Sequence, residues 1–298
     1  MERETLVTLL MMMFGGTAVQ LLAGWPQGNP AGTDPAALER QTWRTLCRPV
    51  APVLVIAAWL IGWAILEPDP VRDPLDPGVV VWLWLPFGLL FARAAVRAVW
   101  ALVRELPECG VSTFGFLQPQ VVFSPFLARR LDEAVIRAAL AHERAHARHR
   151  DPLRIWVAQF VTDLQWPWPG AQRRLTAWLA ALELARDEEA RREGAEGADL
   201  ATAVLSSVRF LGELTLRQRT ALGGTQLAHA RLIGDEQTLQ HRVSRLLAPL
   251  PAGSDGACAK PFGLRRMLLL LVPLLLAAAL LGALYGQWIL QPLLRLTT

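Results

Sequence analysis

Charge is missing from several windows of about twenty residues and dense in one interior stretch. This uneven layout limits the possible folds more than any other feature of the chain. Leu6 to Trp25 contains no charged residue, and neither does Val50 to Leu66. From Val79 to Val103 only Arg93 and Arg97 interrupt an apolar run, and Met267 to Leu290 is again free of charge. Roughly 20 apolar residues suffice for a helix to cross a bilayer core. The pattern therefore predicts a mainly α membrane protein with four transmembrane helices, at about 6–25, 50–66, 79–102 and 267–290. Residues 1–103 would hold the first three spans and 104–266 an inserted soluble domain, with 267–298 forming the last span and a short tail. Glu2 and Glu4 around Arg3 disfavour a cleaved signal peptide at the start.

Of the 298 residues 53% are hydrophobic and 19% charged, against roughly a quarter charged in ordinary soluble domains. Disorder, a coiled coil and a collagen-like chain are excluded on that balance. The basic residues are arginines apart from Lys260, and a net charge of +4 is too weak to indicate a nucleic-acid partner. Arginine placement instead predicts an orientation. Glu67, Asp69, Asp73 and Asp76 outweigh Arg72 in the 67–78 connection. Arg40, Arg44 and Arg48 precede the second apolar run, Arg93, Arg97 and Arg104 end the third, and Arg265 and Arg266 open the fourth. On the positive-inside rule the N-terminus would lie outside and 104–266 in the cytoplasm. Cys47, Cys109 and Cys258 form no CxxC pair, so neither a disulfide framework nor a thiolate zinc site is indicated.

The interior stretch opens with Val111 to Ser124, two β-prone runs flanking Gly115 and Pro119 that read as a hairpin or strand pair. Ser124 and Pro125 read as a helix cap and first-turn proline. Leu131, Val135, Ile136 and Leu140 then recur at helical spacing and lead into His142-Glu143-Arg144-Ala145-His146. Residues four apart share a helix face, so both imidazoles can bind one Zn2+ ion. Glu143, next to such an ion, can act as general base on a water attacking a peptide carbonyl. A solvated His/Arg face is the alternative reading of so short a pattern. Catalytic zinc usually has a third protein ligand. Helix geometry turns His149 away from the pair, and Glu183 is the better candidate, with Asp187 one turn on as a carboxylate that can orient a ligating histidine. A charged helix surface is the alternative there, given Glu188, Glu189, Arg191 and Arg192. Asp151-Pro152 reads as a helix stop and restart, and Trp166-Pro-Trp-Pro169 as a break. Those two tryptophans suit a membrane interface or core packing.

In order and spacing these pieces resemble the integral-membrane zinc metallopeptidases typified by the bacterial β-lactam sensor-transducers (the BlaR/MecR-type antirepressor peptidases). The resemblance rests on Phe114-Gly-Phe-Leu-Gln-Pro119, Ala141 to Asp151 around the motif, Trp166-Pro-Trp-Pro169, and Glu183-Leu-Ala-Arg-Asp187. It implies a zincin-like α+β peptidase domain carrying one Zn2+, with His142, His146 and Glu183 as ligands, Glu143 as base and Asp187 as supporting carboxylate. It further implies a multi-pass place in a bacterial inner membrane and a winged-helix transcriptional repressor, or the chain itself, as substrate. The sensor-transducers carry a penicillin-binding domain beyond the last span. No SxxK acylation motif follows here, so direct β-lactam sensing is not expected.

The hairpin gains a role in such a peptidase. An edge strand near Val111, Ser112 and Thr113, or near Val121, Val122 and Phe123, can receive a substrate backbone by strand addition. The expected partners are then a protein substrate and the lipid bilayer, with no direct nucleic acid. Two other readings stand beside this one. The first is a processing or quality-control protease resembling HtpX and the CAAX-prenyl proteases, which shares the same residue set. The second is a non-catalytic membrane scaffold with a degenerate motif. The long amphipathic pattern around Arg231 to Leu247 reads as packing.

Overall fold

The computed structural model describes residues 18, 34–50, 54–55, 58–59, 62, 85, 88–89, 92–100, 111–115, 118–123, 129–166, 168–219, 236–250 and 272–285. Helix α1, Pro35–Cys47, starts where Asp34 caps it and Pro35 occupies the first turn. A hairpin of β1, Val111–Phe114, and β2, Gln120–Phe123, follows. The strands are antiparallel with Thr113 opposite Val121. Gly115 holds a φ of 92° at the turn, a conformation that glycine adopts without strain. Next come α2, Glu133–His149; α3, Asp151–Leu164; α4, Pro169–Arg192; α5, Gly197–Arg219; and α6, Glu236–Leu247. The pair of strands, the metal-motif helix and the stop at Asp151-Pro152 match the sequence reading. Ser124 and Pro125 lie outside the described residues, and α2 begins beyond them, after Asp132.

Helix α2 is the centre of the arrangement. It buries Val135, Ala138, Ala139, His142, Ala145 and His146, a single stripe at three- and four-residue spacing. The two histidines thus continue an apolar face instead of standing apart from it. The hairpin, α4 and α5 all pack on α2. One core joins α1, α3 and α4 through Trp43, Leu46, Ala158, Leu175, Trp178 and Leu182. The indoles of Trp43 and Trp178 meet with centroids 4.8 Å apart. A second core joins α2, α4, α5 and α6 through Ala138, Ala190, Leu200, Ala201 and Leu246. Alanine dominates where helices meet around α2 and α4: Ala138, Ala139, Ala145, Ala181, Ala185 and Ala190 are all buried. Gly197 belongs to the same close packing, because a Cβ there would run into the carbonyl of Leu246.

The four expected spanning helices require correction. Among the described residues, no helix is long and apolar enough to cross a membrane. Most of 6–25, 50–66, 79–102 and 267–290 lies outside the described residues. The parts that are described form helical stretches at 92–100 and 272–285; the longer rises only about 20 Å, short of a hydrocarbon core of about 30 Å. Helices α4 and α5 have the length, but charged residues run through both. Among the described residues the fold is mainly helical with one small hairpin, and the multi-pass, inner-membrane placement with its N-terminus outside is corrected along with the spans.

Arg93 and Arg97 show one physical reason. Instead of reaching for lipid headgroups, both meet Asp163 of α3, Arg93 Nη1 at 3.7 Å and Arg97 Nε donating at 3.1 Å. Trp156 Nε1 donates to the Ala98 carbonyl at 3.0 Å, and Ala94 and Ala98 are buried. The stretch docks on the protein. Trp166 and Trp168 are exposed, so they do not pack in the core; Arg93 stacks over the Trp166 ring at 5.3 Å.

Candidate metal centre

The face of α2 delivers the first two donors. His142 Nε2 and His146 Nε2 point at each other across 3.0 Å. Helix α4 crosses below and brings Glu183, whose Oε2 lies 3.5 Å from His142 Nε2 and whose Oε1 lies 3.7 Å from His146 Nε2. Tetrahedral zinc with bonds of about 2.0–2.1 Å separates its donors by about 3.3 Å. The three side chains therefore fit such an ion, and they are the group among the described residues that could hold a metal. Glu183 keeps 28% of its side chain exposed while both histidines are buried, so the centre opens on the Glu183 side.

What orients the imidazoles differs between them. Helix α2 ends at His149, and Arg150 turns the chain with a φ of 53°. That left-handed residue is both the end of α2 and the cap of α3. It folds Asp151 back beneath the motif, where the fully buried carboxylate accepts from His146 Nδ1 at 2.9 Å. A proton held on Nδ1 leaves Nε2 free as a donor to metal. Asp151 is itself gripped by Arg186 of α4, at 2.5 and 3.1 Å, and by Arg154 of α3 at 2.9 Å. Arg154 pairs in turn with Glu39 of α1 and lies against the rings of Trp43 and Trp178. A buried ionic chain thus runs from α1 to His146. Burial would raise the Asp151 pKa, but His146 and Arg186 outweigh it and hold the carboxyl below its usual range.

His142 has Asp187 Oδ1 at 3.0 Å from its Nδ1, too far off the N–H axis to form a hydrogen bond. Burial disfavours the imidazolium, yet Asp187 and Glu183 outweigh that and push the His142 pKa up to about 10. Burial likewise opposes ionisation of Glu183 and Asp187, but Arg242 foremost lowers both, helped by His142 at each and by His146 at Glu183. Both carboxylates stay anionic, as metal ligation demands.

Glu143 lies on the same helix beside the pair. Thr113 Oγ1 in β1 donates to Glu143 Oε2 at 2.7 Å, with the Glu143 carbonyl 3.0 Å away. This contact fixes the Glu143 side chain and ties the hairpin to α2. Val111, Ser112, Val121, Val122 and Phe123 are brought to the same hairpin. Among the described residues no further strand pairs with β1. His149 points away as expected and pairs with Glu189 Oε2 at 3.0 Å.

Three participants escaped the sequence reading. Asp151 had a visible signal, an acidic residue directly after the motif helix, but it was read only as a helix stop. Strand patterning around Thr113 signals backbone pairing and carries no mark of what its hydroxyl meets. Arg242 on α6 contacts Asp187 with Nε at 2.5 Å and Nη2 at 2.8 Å, and Glu183 Oε2 with Nη1 at 2.8 Å. No local pattern announces it, since it lies far along the chain from α4. Compared with known protein families, curated proteins and solved structures, the chain matches none of them.

Proposed function

We propose that the protein is a zinc-dependent endopeptidase. The observation that carries this reading is the convergence of His142, His146 and Glu183 beside a glutamate, Glu143, that a strand hydroxyl holds in place. Zinc held by those three side chains supplies a Lewis acid that polarises a carbonyl and makes water acidic. The remaining chemistry falls to the chain. Thr113 occupies Oε2 of Glu143 and leaves Oε1 to take the proton of the attacking water. Glu143 then gives that proton to the departing amine nitrogen. Asp151 keeps the His146 ring fixed throughout. The outer edge of β1 suits an extended substrate segment, which would lie along Val111 to Thr113 at the side of Glu143. The resemblance to antirepressor peptidases makes a transcriptional repressor the first substrate to try.

The experiment uses purified full-length chain. Glu143→Gln should keep about one zinc per chain and lose cleavage of an unstructured protein substrate. His142→Ala with His146→Ala should lose the metal. Retained cleavage in Glu143→Gln would refute the mechanism, and absence of zinc in folded wild type would favour a non-catalytic scaffold.

A further inference from the structure

Arg242 is the one cation whose side chain reaches into the cluster of metal-ligating atoms among the described residues. Its Nη1 holds Glu183 Oε2 at 2.8 Å, the same oxygen that faces His142 Nε2. Its Nη2 stands 3.3 Å from His142 Nε2 itself. Two of the three prospective ligand atoms therefore already face a guanidinium. A dication at the centre would meet that fixed positive charge at close range inside a largely buried site, where screening is weak.

The seating of Arg242 depends on α6. That helix is half exposed and is anchored by Leu246, which is 2% exposed in the second core. Arg245 to Glu188 and Arg191 to the Arg245 and Ala248 carbonyls add to the anchoring. Beside Arg242 lies a cavity of about 200 Å³, lined by Asp187, Glu188, Arg191, Arg245 and Leu246 among others. Arg242 itself lines this cavity, which gives its side chain space beside the donor cluster.

We propose that Arg242 is a built-in competitor for the metal centre: the guanidinium and the metal ion exclude each other from the donor atoms of His142 and Glu183. Metal loading then withdraws Arg242 and loosens α6, so the seating of α6 regulates metal affinity. The inference rests on the metal-binding part of the proposed function and not on peptide hydrolysis.

The test titrates zinc alone into metal-stripped full-length protein against a chelating indicator. Arg242→Gln should bind zinc about tenfold or more tightly, the scale of removing one close repulsive charge. Leu246→Ala, which keeps every ligand and Arg242 but weakens the seat of α6, should also tighten binding, by a smaller factor. Zinc should speed amide hydrogen exchange in 236–247 of wild type. Unchanged or weaker zinc binding in folded Arg242→Gln overturns the proposal, as does slower exchange in 236–247 on zinc addition. If Arg242→Gln fails to fold, Leu246→Ala decides by the same criterion. Absence of zinc binding in wild type would instead sink the metal reading as well, which keeps the two failures distinct.

Discussion

Asp151 shows how much one buried carboxylate can govern. It accepts from His146, Arg186 and Arg154 at once, so removing it leaves Arg186 only Glu189 and Arg154 only Glu39 as carboxylate partners and frees the His146 ring. Asp151→Asn should weaken zinc binding by about 10–100-fold, the usual cost of losing an outer partner of a ligating histidine. Asp151→Ala should in addition lower folding stability by about 3–5 kcal/mol, because uncompensated charge stays buried; denaturant titration of the metal-free variant measures this. The sign of the pH dependence follows from the shifts. Asp151, Glu183 and Asp187 have lowered pKa values, so their contribution is present above the normal carboxylate range and fades as pH falls through the lowered values. His142 is raised to about 10, so its contribution to the metal-free fold is present below the ordinary histidine pKa and is lost as pH rises through about 10. At pH 7.5, with His142 protonated, zinc binding should release about one proton. Calorimetry in buffers of different ionisation enthalpy reads that number, and zero release would contradict the protonated ring.

Among the elements, the hairpin and α2 work as one unit through Thr113 and Glu143. Thr113→Val removes the hydroxyl and should lower turnover with little change in zinc content, while Thr113→Ser should restore it; parallel metal and activity assays separate the two. This part of the molecule was legible in the sequence because its determinants are local. Alternation around Gly115 announces strands, and 3.6-residue spacing places His142 and His146 together. Glu183 and Asp187 were legible as a pair one turn apart, though only their docking against α2 distinguishes them from a charged surface. Arg242 was illegible because its partners come from α4 by tertiary packing alone. The expected spans failed for a related reason. Hydropathy shows that a stretch lacks charge, but not that Arg93 and Arg97 find Asp163 or that α1 between two apolar runs packs on α4.

At the scale of the whole molecule, a chain of ion pairs that begins on α1 joins the core to the candidate metal centre. Glu39 and Arg154 are both buried and paired, and Trp43 and Trp178 close over the arginine. Trp178→Ala should cost about 3–5 kcal/mol as a core truncation and weaken zinc binding as well, since it loosens Arg154 beneath Asp151. Saturating zinc should in return raise the melting temperature, adding about 2.7 kcal/mol at a hundredfold excess over Kd. A chelator should reverse the gain in a thermal scan, and a melting temperature indifferent to both would break the link.

The buried alanines of α2 and α4, of which Ala138 and Ala190 share the second core, set how this centre tolerates change. Ala145 and Ala190 are wholly inaccessible, with Ala138, Ala181 and Ala185 nearly so. Truncation, the commonest source of damage in a protein interior, has almost nothing to remove there. Enlargement is the greater harm, because added volume should press the packed helices apart and move Glu183 away from the histidines. Substitution at these positions is therefore a one-way ruler: each added methyl group should lengthen the gap between donors from opposite helices, grading metal affinity while the ligands themselves remain untouched.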